Sequence, residues 1–141
     1  MRDREETVWV IFEASKELPG VWTAHCLTFD IVTQGDSLER ARAMVIEAIV
    51  MTVNDDLEEG RDPFDRKTVP EDEWDRVTHA MRHGRRYESL SPEEQAMVTC
   101  LISPMTLRMP DAHAAVDEIP VPPAWQIACF ESMPPSRISS H

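Results

Sequence analysis

Alternation of apolar and polar positions predicts strands in the first quarter of the chain, joined by short connections. The predicted strands are residues 7–14, about 21–27 and 31–34. In the first, Val8, Val10 and Phe12 share one face. The opposite face is also fairly apolar, so both faces are expected to be covered. Short connections between successive strands predict an antiparallel meander.

After Gly35 the apolar period changes from that of a strand to that of a helix. One stripe, wide enough to cover a sheet, comprises Leu38, Ala41, Val45, Ala48, Ile49 and Thr52. A second apolar set, on another side of the same helix, comprises Ala43, Ile46, Val50, Val53 and Leu57. Asp36 is the predicted N-cap, with Glu39 closing a capping box, and Gly60 is predicted to end the helix.

Capping signals predict two further helices in the second half of the chain. Thr68 and Glu71 introduce a helix over residues 70–83, and Ser91 with Glu94 introduces one that runs to about Ile102. Prolines predict an irregular segment over residues 103–120, after which strand composition returns. The predicted divisions are a core (1–60), a helical or irregular insertion (61–119), a final core strand (120–131) and a disordered tail (132–141).

Composition limits the kinds of protein that this chain can be. Its 141 residues suit one domain, and no apolar run approaches the roughly 20 residues of a membrane span. The charged N-terminus has no apolar signal core, so a cytoplasmic location is expected. The three cysteines are widely spaced, which argues against a disulfide framework. A net charge of −12 argues against non-specific nucleic-acid binding and suits a basic partner, although solubility explains it equally well.

The junction between the third strand and the helix resembles a known family. Residues 32–39 read Val-Thr-Gln-Gly-Asp-Ser-Leu-Glu, Ala41 follows, and residues 22–27 form an aromatic-initiated strand before them. This is similar to the G-D-[ST]-hydrophobic-E-x-A segment of the HicB antitoxins. The resemblance covers residues 7–57, with residues 121–131 as the last strand. It implies an α+β fold: a truncated ribonuclease-H-like β-β-β-α-β core with a small antiparallel sheet and one long helix packed on it.

What the resemblance implies about function is inhibition rather than catalysis. HicB proteins are small bacterial proteins that cover the active surface of a basic, messenger-RNA-cleaving HicA toxin. The expectation is therefore a non-catalytic, antitoxin-type inhibitor, and Asp30, Asp36 and Glu39 are the candidate partner-binding residues. The alternative is a stand-alone HicB-like oligomeric scaffold or regulatory subunit. A homodimer is possible because the long helix has more apolar surface than one small sheet face covers.

The sequence gives weaker signals for a metal site, a nucleic-acid site or a nuclease. His79 and His83 have a spacing that can hold a metal, but further ligands are not evident, so neither a metal nor a cofactor is expected. Residues 82–87 form a basic patch that more simply complements a helix C-terminus or pairs with carboxylates. No DNA-binding module is recognisable, so DNA or RNA binding is not expected. A magnesium-dependent nuclease would need Glu13, Asp30 and Glu47 to converge.

Overall fold

The longest strand, β1, lies inside the sheet in a computed structural model that describes residues 4–65, 69–109, 115–117 and 127–128. In chain order the elements are β1 (Arg4–Ala14), β2 (Trp22–Cys26), β3 (Ile31–Gly35), α1 (Leu38–Glu58), α2 (Glu71–His83), β4 (Arg85–Arg86), α3 (Pro92–Ala96), β5 (Cys100–Met109), β6 (Ala115–Asp117) and β7 (Ile127–Ala128). Short 3-10 turns cover Pro63–Asp65 and Tyr87–Ser89.

The strands form one antiparallel sheet in the order β3-β2-β1-β5-β7-β4, and β6 also pairs with β5. Near the middle of the sheet Ile11 lies opposite His25 of β2 and Ile102 of β5. His25 in turn lies opposite Val32 of β3. The predicted meander of three strands and the α+β fold class, with a long helix packed on the sheet, are confirmed.

Both faces of β1 are covered, as the sequence predicts. Alternate side chains of β1 pack against α1, in a cluster that includes Val8, Val10, Phe12, Ala41, Val45, Ile49 and Val53. The opposite face packs against α2, in a second cluster that includes Ile11, Leu27, Val77, Ala80 and Ile102. The sheet therefore lies between α1 and α2, and the middle of β1 is apolar on both sides because both are covered there, while Glu5 and Thr7 remain exposed.

The second apolar set of α1 is divided between core and surface. Val53 is fully buried, and Ile46 and Leu57 pack at the margin of the α1 cluster. Ala43, by contrast, is exposed. The helix therefore buries more than one stripe but keeps an outward side.

An ionic cluster fixes α2 against the sheet. Arg76 of α2 donates from Nη2 to Glu13 Oε1 on β1, and its Nη1 lies 3.8 Å from Oε2 of Glu73, one helical turn earlier. Glu73 is fully buried and Arg76 nearly so. Burying these charges costs desolvation energy, so we interpret the cluster as a contact that fixes the position of α2 more than as a source of stability.

The helix α1 begins one residue later than predicted. Its N-cap is Ser37, whose Oγ accepts from the backbone N of Arg40 at 3.0 Å, so the predicted capping box of Asp36 and Glu39 is wrong. The reason lies in the preceding strand, which stays extended through Gly35, opposite Trp22. Two residues are then needed to turn the chain, and Ser37 is the last of them before helical geometry begins.

Glycines shape both ends of α1, for different reasons. A Cβ on Gly35 would lie 2.4 Å from the backbone N of Ala41, so the strand approaches the first turn of the helix too closely for any side chain. Gly60 has a φ of +74° and follows the C-terminus as predicted. There the N–H of Gly60 donates to Leu57 O at 3.1 Å and the N–H of Arg61 to Asp56 O at 2.8 Å, a Schellman motif.

Further along the chain, α2 is confirmed over nearly its predicted length, while Thr68 of its predicted capping box lies outside the described residues. The capping box of Ser91 and Glu94 is also confirmed. The helix that it opens nevertheless ends at Ala96, where a helix to about Ile102 was predicted. The prediction of an irregular segment from residue 103 is wrong too, because residues 100–109 form β5.

Pro104 is compatible with this interior strand because its missing N–H removes no ladder hydrogen bond. Trp9 of β1 lies opposite Pro104. The N–H of Trp9 donates to Thr28 Oγ1 at 3.1 Å, and the C=O of Trp9 accepts from the N–H of Leu27 at 2.9 Å. The pair of Trp9 and Pro104 is thus a non-hydrogen-bonded pair. On the other edge of β5, the described strands pair only with residues 101–102 and 106–108.

The core strand beside β1 is β5, whereas residues 120–131 were predicted to be the final core strand. Of that range the structure describes only Ile127–Ala128, which form β7 on the far side of β5. The rest of the range, and the predicted disordered tail at 132–141, lie outside the described residues. The predicted insertion (61–119) therefore supplies a principal strand of the sheet.

Replacing Val45 with Asp tests the buried stripe of α1. Val45 has no exposed surface, so an unpaired carboxylate there should cost on the order of 3 kcal/mol or more in free energy of unfolding. Ala43→Asp places the same side chain on the exposed side of the same helix and should cost less than about 1 kcal/mol. Urea unfolding measures both, and equal losses would contradict the packing described here.

Candidate partner-binding surface

The side of α1 that faces away from the sheet is predominantly acidic. Its exposed residues recur at helical spacing, and we call the following set the outer face of α1: Glu39, Ala43, Glu47, Met51, Asp55 and Glu58. Met51 is 60 % exposed. Arg40 is the exposed cation of this helix, near its N-terminus, while Arg42 is half-buried. The outer face therefore combines carboxylates with a flexible apolar side chain.

Negative charge is concentrated at the C-terminal end of α1, where the helix dipole is itself negative. The last turn contains no basic residue, while Asp55, Glu58 and the C-cap Glu59 carry carboxylates there. Each acidic group in such a position costs roughly 0.3–1 kcal/mol at low ionic strength. A chain that keeps charges against this local rule often does so where it binds something.

Arg61 partly neutralises this end of the helix. Its Nη2 donates to Asp56 Oδ1 at 3.0 Å and its Nη1 to Glu59 Oε2 at 2.6 Å. These hydrogen bonds, first that to Glu59 and then that to Asp56, raise the pKa of Arg61 above its ordinary value. Asp56, Gly60 and Arg61 line an open groove of about 590 Å³ together with Asp62 and Asp65.

The structure brings together two of the three predicted partner-binding residues. Asp36 and Glu39 are both exposed at the N-terminal end of α1. Asp30 precedes β3 and Asp36 follows it, so the length of the strand separates their backbones by about 20 Å. Asp30 therefore lies at the opposite end of β3 from the other two.

Asp30 has a structural role in the turn between β2 and β3. Its φ is +54°, a conformation that Asp and Asn tolerate better than most residues. Its Oδ1 lies 2.9 Å from His25 Nε2, which must be the donor because an ionised carboxylate only accepts. The charge of Asp30 is thus best tested with Asn, which keeps both an acceptor oxygen and the tolerance for positive φ.

The carboxylates of the outer face beyond Glu39 were missed as candidates. Glu47, Asp55 and Glu58 form no motif, and they become a surface only when the opposite side of the helix is known to be buried. A usable signal was present, because Glu39, Ala43, Glu47, Met51 and Asp55 are each four residues apart.

The carboxylates that a magnesium-dependent nuclease would need do not converge. Glu13 pairs with Arg76 on the side of the sheet that α2 covers. Glu47 is exposed on α1, which packs on the opposite side of the sheet. Asp30 lies in the turn before β3, so this set of three does not form a metal site.

The histidine pair and the basic patch lie at the C-terminal end of α2. The rings of His79 and His83 are 4.7 Å apart between centroids, and within the described part of the chain no group of three His, Cys, Asp or Glu could hold a metal ion. Arg85 Nη1 donates to Glu94 Oε2 at 2.7 Å, in agreement with the expected pairing with a carboxylate. A backbone hydrogen bond from Ser91 and then this contact with Arg85 lower the pKa of Glu94.

Comparisons with known proteins do not identify this chain: no family model matches it, and no curated protein or solved structure is significantly similar to it. Among the described residues, no helix has both the length and the apolar character to cross a membrane.

Cys26 should resist alkylation in the native protein. It has no exposed surface, and burial raises its pKa to about 11, so at neutral pH the thiol is neutral rather than the reactive thiolate. Iodoacetamide should leave the Cys26 peptide unmodified under native conditions and modify it fully in concentrated guanidinium chloride, as mass spectrometry of the digest would show. Native labelling as fast as that of free glutathione would contradict the burial of this strand.

Proposed function

We propose that the protein is a non-catalytic, HicB-like inhibitor that acts in the cytoplasm by binding a small basic, RNA-cleaving protein of the HicA type. The core supports this proposal through its first four elements, β-β-β-α, which follow the succession that the resemblance at residues 32–41 implies. The strand beside β1 is β5 (Cys100–Met109), which follows α2, β4 and α3, whereas the resemblance implied a last strand at residues 121–131. The observation that carries the proposal is the acidic outer face of α1, on the long helix of that core.

The chemistry of such a partner matches this face. A protein that cleaves RNA presents Lys and Arg side chains to phosphate groups. Glu39, Glu47 and Asp55 are exposed on α1 at intervals of eight residues, about 12 Å along the helix, and their carboxylates can occupy those cations in place of phosphates. Met51, between two of the carboxylates, offers an adaptable apolar contact. Inhibition then follows from covering the RNA-binding surface.

Charge also determines how fast the complex forms. With a net charge of −12, the protein attracts a basic partner over distances of about a Debye length. The association rate should therefore fall as salt is added, while the dissociation rate changes less. The carboxylates at the C-terminal end of α1 add to the negative potential near Asp55 and Glu58.

Charge reversal on the outer face of α1 is the direct test. The double variant Glu47→Lys/Asp55→Lys should slow association with any small basic protein encoded beside this gene by about tenfold or more at low salt. Glu88, exposed in the turn before α3, gives the control: Glu88→Lys changes charge in the same sense away from α1 and should have a much smaller effect. Biolayer interferometry at several NaCl concentrations measures both rates.

An RNA-cleavage assay of the complex separates inhibition from simple binding. The wild-type protein should block cleavage by its partner at equimolar concentration, and the Glu47→Lys/Asp55→Lys variant should need a higher concentration. If no neighbouring basic protein binds, or if one binds and still cleaves RNA, the inhibitor proposal fails. The alternative function, an oligomeric scaffold or regulatory subunit, then takes its place.

A further inference from the structure

β3 is an edge strand of the sheet. It pairs with β2 along Ile31–Gly35 and, among the described strands, has no neighbour on its other side. Its side chains alternate: Ile31 and Thr33 are half-buried towards α1, while Val32 and Gln34 are exposed on the other face. Val32 is 58 % exposed.

The register shows which backbone groups of β3 point away from the sheet. The N–H of Leu27 donates to Trp9 O, so Trp9 and every second residue after it in β1 make their hydrogen bonds towards β2. Ile11, the next such residue, lies opposite His25, so His25 makes its backbone hydrogen bonds to β1. The residues on either side of His25 in β2 therefore make theirs to β3. It follows that Ile31, Thr33 and Gly35 are satisfied by β2. The N–H and C=O groups of Val32 and Gln34 point outward.

Nothing in the sequence of β3 protects this edge. Natural sheets prevent accidental strand addition with lysine, proline, a bulge or an inward charge on the edge strand. Residues 31–35 read Ile-Val-Thr-Gln-Gly, without a charge or a proline, and the register with β2 is continuous through all of them. Among the described residues this edge is therefore open, and with its polar backbone groups outward it is a template for another strand.

The residues on either side of β3 indicate what kind of strand fits. Asp30 and Asp36 flank Ile31–Gly35, and both are exposed. A second copy of β3 in register would bring carboxylate against carboxylate at both ends, whether parallel or antiparallel, and like charges that face each other destabilise a strand pair. A segment with Lys or Arg at each end of about five β-forming residues would place opposite charges there instead.

We propose that β3 binds an extended segment of the basic partner, which adds to the sheet as a further strand. Main-chain hydrogen bonds to Val32 and Gln34 hold the segment, and its flanking cations pair with Asp30 and Asp36. The basic character of the partner rests on the proposed function; the open edge does not. The acidic outer face of α1 and this edge then form two parts of one interface, the first steering the partner and the second fixing its register.

A proline at position 32 tests the inference without breaking the fold. The N–H of Val32 points outward, so Val32→Pro removes a hydrogen bond only from an added strand, and proline is tolerated on edge strands. The preceding residue, Ile31, is already extended, as a residue before proline must be. The matched control is Val32→Thr, which keeps the N–H and the branched shape. Circular dichroism and thermal unfolding should be close to wild type for both variants.

The probe is a synthetic peptide, Lys-Val-Thr-Val-Thr-Val-Lys, with acetyl and amide ends and a fluorophore. In anisotropy titrations it should bind wild-type protein and Val32→Thr with similar Kd, and Val32→Pro about tenfold or more weakly. The same peptide with Glu in place of Lys should also bind about tenfold or more weakly. Bound peptide should slow hydrogen exchange at the amides of Val32 and Gln34.

Several results would overturn strand addition at β3. The first is equal affinity of the Lys peptide for Val32→Pro and wild type, and the second is no binding of that peptide to wild type. The third is hydrogen-exchange protection that bound peptide confers only on amides of α1. A peptide-independent dimer that Val32→Pro abolishes would assign the edge to a second copy of this chain. If the natural basic partner is inhibited equally by wild type and Val32→Pro, the inhibitor function holds and strand addition fails. If no basic partner exists, the inhibitor function fails while the peptide titration still decides the edge.

Discussion

Burial of β1 on both faces, together with pairing along both edges, is the constraint on which the other elements depend. A strand in this position is favoured by apolar side chains on both sides, and here a separate helix covers each side. The first helix follows the meander directly, whereas the second comes from the middle of the chain and is fixed by the contact of Arg76 with Glu13. The strand on the second edge comes later still, so the sheet joins segments that are remote in sequence.

Local patterns were sufficient wherever an element depends on its own residues. The alternation in residues 7–14, the stripe of α1 and the position of Gly60 predicted the meander, the long helix and its end. The N-cap was misplaced because Asp36 and Ser37 are both good caps, and the length of the preceding strand decides between them. That length is set by pairing with β2, which capping preferences do not include.

The location of β5 could not be predicted from local sequence for a related reason. Pro104 ordinarily argues against an interior strand. It is accommodated here because Trp9, its partner, directs its N–H and C=O to the other side of β1, towards Leu27 and Thr28.

Similarly, the candidate surface could be predicted only in part: Glu39 was identified, but the rest of the outer face of α1 required knowledge of which side of the helix meets the sheet.

The pairing of β1 with β5 has a consequence for synthesis on the ribosome. The meander and α1 leave the ribosome first. The side of β1 that α2 covers stays exposed until α2 has emerged, and the second edge of β1 has no strand partner until residues up to Met109 have emerged. At about 5–20 residues per second, the interval between the end of β1 and the end of β5 lasts roughly 5–20 s. Until α2 has emerged, the nascent chain exposes Trp9 and Ile11 to solvent. Strand pairing along both edges of β1 is therefore completed only after about three quarters of the chain has been synthesised.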